Sequence, residues 1–219
     1  MRQSAGIVLF DLDGTLVDSA PDLAGTVNDM LGSRGRSPLA YESLRLHAGS
    51  GARGMLKAAW GITPLDQGWE ALRDEFHDRY EQRMLSQTQV FEGVSDMLGR
   101  LDQASIAWGV VTNKAMRFAE PLVQALGLKP QVLIAGDSTP HRKPHPAPLL
   151  LALKKLGRDP FGAVYVGDDL RDMQAARAAQ MKGWAASWGY HGEDSPLADW
   201  GMDRSLSAPH DVLKFLEMA

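Results

Sequence analysis

Hydrophobic and polar positions change their period along this chain, and the changes divide it. Ile7-Val8-Leu9-Phe10 is an unbroken apolar run, as expected of a strand buried on both faces. From about residue 20 to 87 the period is helical, with no convincing strand. Pro21 opens a helix whose apolar stripe is Leu23, Val27, Met30 and Leu31, and Gly32, Gly35 and Pro38 break it. A shorter helix is predicted near 39–47. The glycine-rich loop Gly49-Ser50-Gly51-Ala52-Arg53-Gly54 follows, then a helix over 55–60. A long helix is predicted over 65–85, with Leu72, Phe76, Tyr80 and Met84 on one face.

Beyond residue 91 the pattern is different. A helix ends near 104, and then strands at 106–111, 132–135 and 163–166 alternate with helices at 116–126, 147–156 and 170–179. A weaker strand at 183–186 and a helix at 210–218 complete the chain. Such alternation predicts an α/β fold with a doubly wound parallel sheet and right-handed crossovers. The helical stretch interrupts it after the first strand. The expected organisation is therefore a core of residues 1–18 and 89–219 with an inserted all-helical cap domain of residues 19–88.

Composition narrows the function. At 219 residues the chain can bury a sizeable core, or a core plus a smaller domain. A net charge of −4 offers no basic footprint for nucleic acid. No apolar run approaches membrane-spanning length, so no membrane partner is expected. There is no cysteine, which excludes disulfides, thiolate metal sites and a cysteine nucleophile. The start runs into the first strand without a secretory apolar segment, which suits a cytoplasmic enzyme, expected as a monomer or homodimer.

Candidate chemistry sits at the strand ends. Phe10-Asp11-Leu12-Asp13-Gly14-Thr15-Leu16-Val17-Asp18-Ser19 places two carboxylates two residues apart just past the first strand, where alternate residues point the same way. Asp11 and Asp13 repel each other unless a positive group sits between them. Mg²⁺ fits, because it takes oxygen ligands and shares its shell with substrate phosphate. After the second core strand, the Thr112 hydroxyl and the amide of Asn113, near a helix N-terminus, suit a phosphate oxygen. After the third, the prolines of Arg142-Lys143-Pro144-His145-Pro146 fix the backbone around Lys143. After the fourth, Val166-Gly167-Asp168-Asp169-Leu170-Arg171-Asp172 supplies hard oxygen ligands. Singly, each stretch has a plain structural reading: an Asp-Gly turn, a Thr-Asn helix cap, a surface lysine, an aspartate N-cap. The six histidines show no ligand-like spacing. In the cap, Gly49-Ser50-Gly51 can bring backbone close to a ligand, and Arg53 carries a fork suited to a carboxylate. The same residues read equally as an inter-helix turn beside a solvated arginine.

In their order and spacing these stretches resemble the motifs of the haloacid dehalogenase-like hydrolase superfamily, whose first signature is Asp-x-Asp-Gly-Thr-Leu-x-Asp-Ser and whose last is Gly-Asp-Ser-x-x-Asp. Asp169 stands where serine is common. The resemblance covers nearly the whole chain and is greatest to the phosphoglycolate phosphatase-like group with a helical cap. Asn113-Lys114-Ala115-Met116-Arg117-Phe118-Ala119-Glu120-Pro121, Asp168-Asp169-Leu170-Arg171-Asp172 and Trp188-Gly189-Tyr190 look like the N-acetylmuramic acid 6-phosphate phosphatases, a branch of that group.

The resemblance implies a Rossmann-like core and Mg²⁺-dependent hydrolysis of a small phosphorylated metabolite. It makes Asp11 the nucleophile that forms an aspartyl-phosphate, and Asp13 the acid and then the base. Thr112, the Asn113 amide and Lys143 hold the phosphoryl oxygens. The Asp11 carboxylate, the Asp13 backbone carbonyl and Asp168 bind the metal, with Asp169 and Asp172 either joining them or supporting them. The cap closes over the substrate and selects the leaving group. Dehalogenases and phosphonatases lack an aspartate at the position of Asp13. Two other readings are a β-phosphoglucomutase-like phosphoryl transferase and, of another class, a phospho-accepting receiver-like signalling domain. The receiver has its acceptor on a later strand and no long helical insertion.

Overall fold

The computed structural model describes residues 6–191 and 196–216. The first five residues, which bear on a leader segment, and the end of the helix expected over 210–218 lie outside the described residues.

Strand β1 (Ile7–Phe10) is the apolar run and is buried throughout. A two-residue strand, β2 (Val17–Asp18), follows. Then come α1 (Ala20–Gly32), α2 (Tyr41–Arg45), α3 (Gly51–Trp60) and α4 (Trp69–Arg83). Next is β3 (Gln89–Val90), antiparallel to β2, so the chain leaves and re-enters the core through a two-stranded ribbon. The core resumes with α5 (Val94–Gln103), β4 (Ala107–Val111), α6 (Met116–Ala125), β5 (Leu133–Ile134) and α7 (Ala147–Leu156). It ends with β6 (Ala163–Gly167), α8 (Leu170–Ala178), β7 (Lys182–Ala186), β8 (Arg204–Leu206) and α9 (Asp211–Phe215).

Six strands form one sheet in the order β5-β4-β1-β6-β7-β8, with every pairing parallel. This is the expected doubly wound sheet. From β1 the chain winds outward through β4 and β5, then returns to β6 and winds outward the other way. The order therefore reverses beside β1, where sheets of this kind bind ligands beyond their carboxyl ends. Ile7 and Leu9 pack on one face with Val111, Tyr165, Leu149 and Ala176. Val8 and Phe10 pack on the other with Trp108, Val110, Met97 and Val212. Burial of each large aliphatic chain contributes about 1.5–3 kcal/mol. Cover on both faces is the reason these strands read as continuous apolar runs.

Helices α1 to α4 share an apolar centre of their own, built from Leu23, Val27, Met30, Leu56, Phe76 and Tyr80, which Phe118 and Leu122 of α6 join from the sheet side. This is the inserted helical cap of the fold. Two details differ from the sequence expectation. The 49–54 stretch is not a loop: a 3₁₀ turn, Ala48–Ser50, runs into α3 from Gly51. Gly54 lies inside that helix because a Cβ there would fall 2.2 Å from the His47 carbonyl oxygen. The helix expected from residue 65 starts only at Trp69. Before it, the Asp66 carboxylate accepts from the Thr63 N–H at 2.7 Å and hydroxyl at 2.8 Å, closing a turn that competes with helix.

Candidate active site

Sheet register brings the acidic stretches to one place. Phe10 lies level with Val110 of β4 and Val166 of β6, so Asp11, Thr112 and Asp168 emerge from adjacent strands at one edge. Lys143 arrives there from the loop between β5 and α7. Asp11, Asp168 and Asp172 are all buried, and each offers a carboxylate oxygen within 4.8 Å of the others.

Lys143 is the cation inside this cluster. Its Nζ lies 2.9 Å from Asp11 Oδ1 and 2.7 Å from Asp172 Oδ1. It also donates to the Tyr165 hydroxyl at 2.7 Å, which donates in turn to the Val111 carbonyl at 2.7 Å. Burial opposes charge on Lys143, but Asp11 and Asp172 outweigh it and hold its pKa above the usual lysine value. The second oxygen of Asp172 accepts from the Asp169 N–H at 3.1 Å. Asp172 is thus committed to Lys143 and to the start of α8.

Asp168 has no such cation among the described residues. Its Oδ1 accepts from the Thr15 hydroxyl at 3.0 Å and its Oδ2 from the Tyr190 N–H at 2.8 Å. Burial, and then Asp11 and Asp172, push its carboxyl pKa well above the ordinary range. Three buried carboxylates sharing one ammonium leave negative charge that a metal cation would neutralise. Gly14, at φ +80°, keeps the approach open, since a Cβ there would lie 2.1 Å from Asp168 Oδ2.

Asp13 stands beside the cluster rather than in it. Its Oδ1 accepts from Lys114 Nζ at 2.9 Å and from the Ser19 hydroxyl. Thr112 Oγ1 accepts from the Lys114 N–H at 3.1 Å, which leaves its own proton to donate. The Asn113 N–H meets no acceptor among the described residues. The Asn113 side chain donates to the Lys143 carbonyl at 3.0 Å and accepts from the Lys143 N–H at 2.9 Å. That pair of bonds, besides the prolines, sets the Lys143 backbone.

Asp169 is spent on Arg171. It caps α8 through the Arg171 N–H at 2.8 Å and pairs with the guanidinium at 2.6 Å, outside the carboxylate cluster. Arg53 is exposed, in the first turn of α3. It lines a 340 Å³ cavity between the cap and the strand ends, together with His47, Lys57, Arg171 and Asp168.

Residues 8–186 match the family model described as haloacid dehalogenase-like hydrolase. The chain belongs to the haloacid dehalogenase-like hydrolases. It is 40% identical over 221 residues to the N-acetylmuramic acid 6-phosphate phosphatase of Pseudomonas aeruginosa, across 100% of this chain and 97% of the relative. It is 48% identical over 206 residues to a phosphoglycolate phosphatase of Xanthomonas campestris pv. campestris, across 92% of each. Among solved structures it is similar to one described as a predicted phosphoglycolate phosphatase from Haemophilus somnus. The TM-score is 0.86 at 26% identity, over 98% of this chain and 99% of that one.

Sequence reasoning does not reach four residues of this hydrolase site: Lys114, Tyr165, Arg171 and Tyr190. Each acts on a partner that only the fold supplies. Tyr190 is the clearest case. Its hydroxyl accepts from the N–H groups of Ser19 and Ala20 at 2.8 Å and 3.0 Å, and donates to Asp18 at 2.9 Å, while its N–H holds Asp168. The usable signals in the chain are weak: Lys114 follows Thr112-Asn113 directly, and Tyr190 ends the Trp188-Gly189-Tyr190 stretch.

Proposed function

We propose that this hydrolase cleaves small, carboxylate-bearing phosphate monoesters in the manner of a phosphoglycolate phosphatase, with Mg²⁺ as its cofactor. The observation that carries the proposal is the convergence of Asp11, Asp168 and Lys143 beside Asp13 at the point where the strand order reverses. Asp11 Oδ1 is held by Lys143 and by the Leu12 N–H at 2.8 Å, which leaves Oδ2 to attack phosphorus and form the aspartyl-phosphate. Asp13 protonates the leaving oxygen and then deprotonates the attacking water. The Thr112 hydroxyl, the Asn113 N–H and Lys143 carry the charge of the equatorial oxygens.

The carboxylates of Asp11 and Asp168 and the carbonyl of Asp13 would hold Mg²⁺, with Asp172 supporting them through Lys143. Bound there, Mg²⁺ supplies the positive charge that lets two anions meet. Residues 19–88 serve as the cap domain, and residues 1–18 and 89–219 as the core. The cap excludes water and meets the leaving portion, with Arg53 presented to its carboxylate. No helix among the described residues is long and apolar enough to cross a membrane. A cytoplasmic monomer or homodimer acting on small molecules fits this scheme.

A second substrate, N-acetylmuramic acid 6-phosphate, is favoured by the full-length relative of that name and by the 340 Å³ cavity. One water needs only about 10–15 Å³ of such space, so the cavity exceeds what a two-carbon acid occupies. The test is a screen of phosphate monoesters with Mg²⁺, including phosphoglycolate, N-acetylmuramic acid 6-phosphate and sugar phosphates. Released phosphate is the expected outcome. Transfer to a second sugar hydroxyl without release would indicate a phosphoryl transferase instead, and a lasting phosphoprotein would indicate a receiver.

A further inference from the structure

Lys114 is a cation of this site that the hydrolytic scheme leaves without a task. Its Nζ lies 2.9 Å from Asp13 Oδ1, with side-chain exposures of only 8% and 15% for the two partners. The Ser19 hydroxyl donates to the same oxygen. Asp13 Oδ2 has no partner among the described residues. The two lysines divide the Asp-x-Asp motif between them: Lys143 takes Asp11 and Asp172, and Lys114 takes Asp13.

Lys114 is itself firmly placed. Its N–H donates to Thr112 Oγ1 at 3.1 Å, and its carbonyl accepts from the Gly136 N–H at 2.8 Å. Its ammonium sits 4.7 Å from the centre of the Tyr80 ring, a buried residue of cap helix α4. An aspartate terminus otherwise rotates broadly about χ2. A carboxylate in a poorly screened site is also drawn strongly to any nearby cation, and a catalytic acid has to be held close to its productive geometry.

We infer that Lys114 is a positioning residue for Asp13. With Ser19 it holds Oδ1, so that Oδ2 is the oxygen presented to the leaving group. It also keeps the carboxylate from swinging towards Lys143 and the metal-binding carboxylates. Through Tyr80, the cap helix shares in this placement. Lys114 has this role only if Asp13 is the acid–base of a phosphatase, so the test separates the two assignments.

Phenyl phosphate and p-nitrophenyl phosphate are similar in size, but the first has the poorer leaving group. With the full chain and Mg²⁺, Lys114→Met should lower kcat on phenyl phosphate by about tenfold to 10²-fold, part of the 10²–10⁴ a positioned acid supplies. It should lower kcat on p-nitrophenyl phosphate distinctly less, with KM unchanged. Lys114→Arg, which keeps the charge, should recover part of the loss. In an Asp13→Asn background, Lys114→Met should cost less than about twofold more, because both changes remove one function. Equal losses on the two esters, additive losses with Asp13→Asn, or an effect confined to KM would overturn the positioning role. If Lys114→Met melts at assay temperature, Lys114→Gln takes its place in the same comparison. A wild-type protein that releases phosphate from neither ester nor from any monoester of the screen overturns the phosphatase reading, and the role of Lys114 with it.

Discussion

Arg171 donates a 2.8 Å hydrogen bond to the carbonyl of Gly49, which joins the first turn of α8 to the turn preceding α3. Its guanidinium is pre-set by Asp169 at 2.6 Å. In the opposite sense, Arg45 of the cap donates to the Gly189 carbonyl at 3.2 Å. The cap is therefore tied to the strand-end loops by one arginine from each side. A hydrogen bond with a charged donor contributes about 1.5–3 kcal/mol, and partial exposure puts this one at the low end. Arg171→Ala should then speed amide exchange in residues 48–54 by about tenfold, since 1.4 kcal/mol is tenfold in an opening equilibrium. Hydrogen-exchange mass spectrometry checks this, and unchanged protection would show that the bond does not restrain the cap.

Asp11→Asn should abolish phosphate release while the protein stays folded. The amide is no nucleophile, yet it matches the carboxylate in size. The substitution also removes one of three crowded carboxylates, so in chelator the Tm should stay within a few degrees of wild type. Turnover by a folded Asp11→Asn protein near the wild-type rate would refute the nucleophile assignment.

Removal of divalent metal by a chelator should eliminate activity, and Mg²⁺ should restore it. Ca²⁺ should bind yet support turnover poorly, because its larger and more flexible shell holds the reacting groups loosely. Mg²⁺ at about one hundred times its Kd should stabilise the fold by about 2.7 kcal/mol, visible as a higher Tm. Full activity in excess chelator would be fatal to the metal site.

Arg53→Ala should raise KM for phosphoglycolate and N-acetylmuramic acid 6-phosphate by roughly tenfold, the loss of one charge-assisted bond. It should spare p-nitrophenyl phosphate, which has no carboxylate. Steady-state constants on all three substrates decide the matter. A uniform change, or none, would return Arg53 to a solvated position on α3.

The chain states its large elements openly. The runs at β1, β4 and β6 are apolar and β-rich because both faces of the sheet are covered, and the helices between them keep a clear period. Short pieces escape. Strands β2 and β3 have two residues each and β8 has three, too few for any alternation to show. The start of α4 was set by Asp66 gripping Thr63, a local hydrogen bond that overrides the periodic signal running through Leu65.

The candidate site divides in the same way. By itself the sequence determined that acidic, hydroxyl and basic residues stand one after another at the ends of successive strands, since those residue types and their spacing are properties of the chain. It could not say which cation meets which carboxylate, because Lys114 and Lys143 are equivalent on a line. Tertiary structure decided that. Parallel register between β1 and β4 sets Lys114 beside Asp13, 101 residues away, and the loop after β5 delivers Lys143 to Asp11 and Asp172. Such pairings depend on distances of a few ångströms in a place with little water to screen them, and no periodicity along a chain records that.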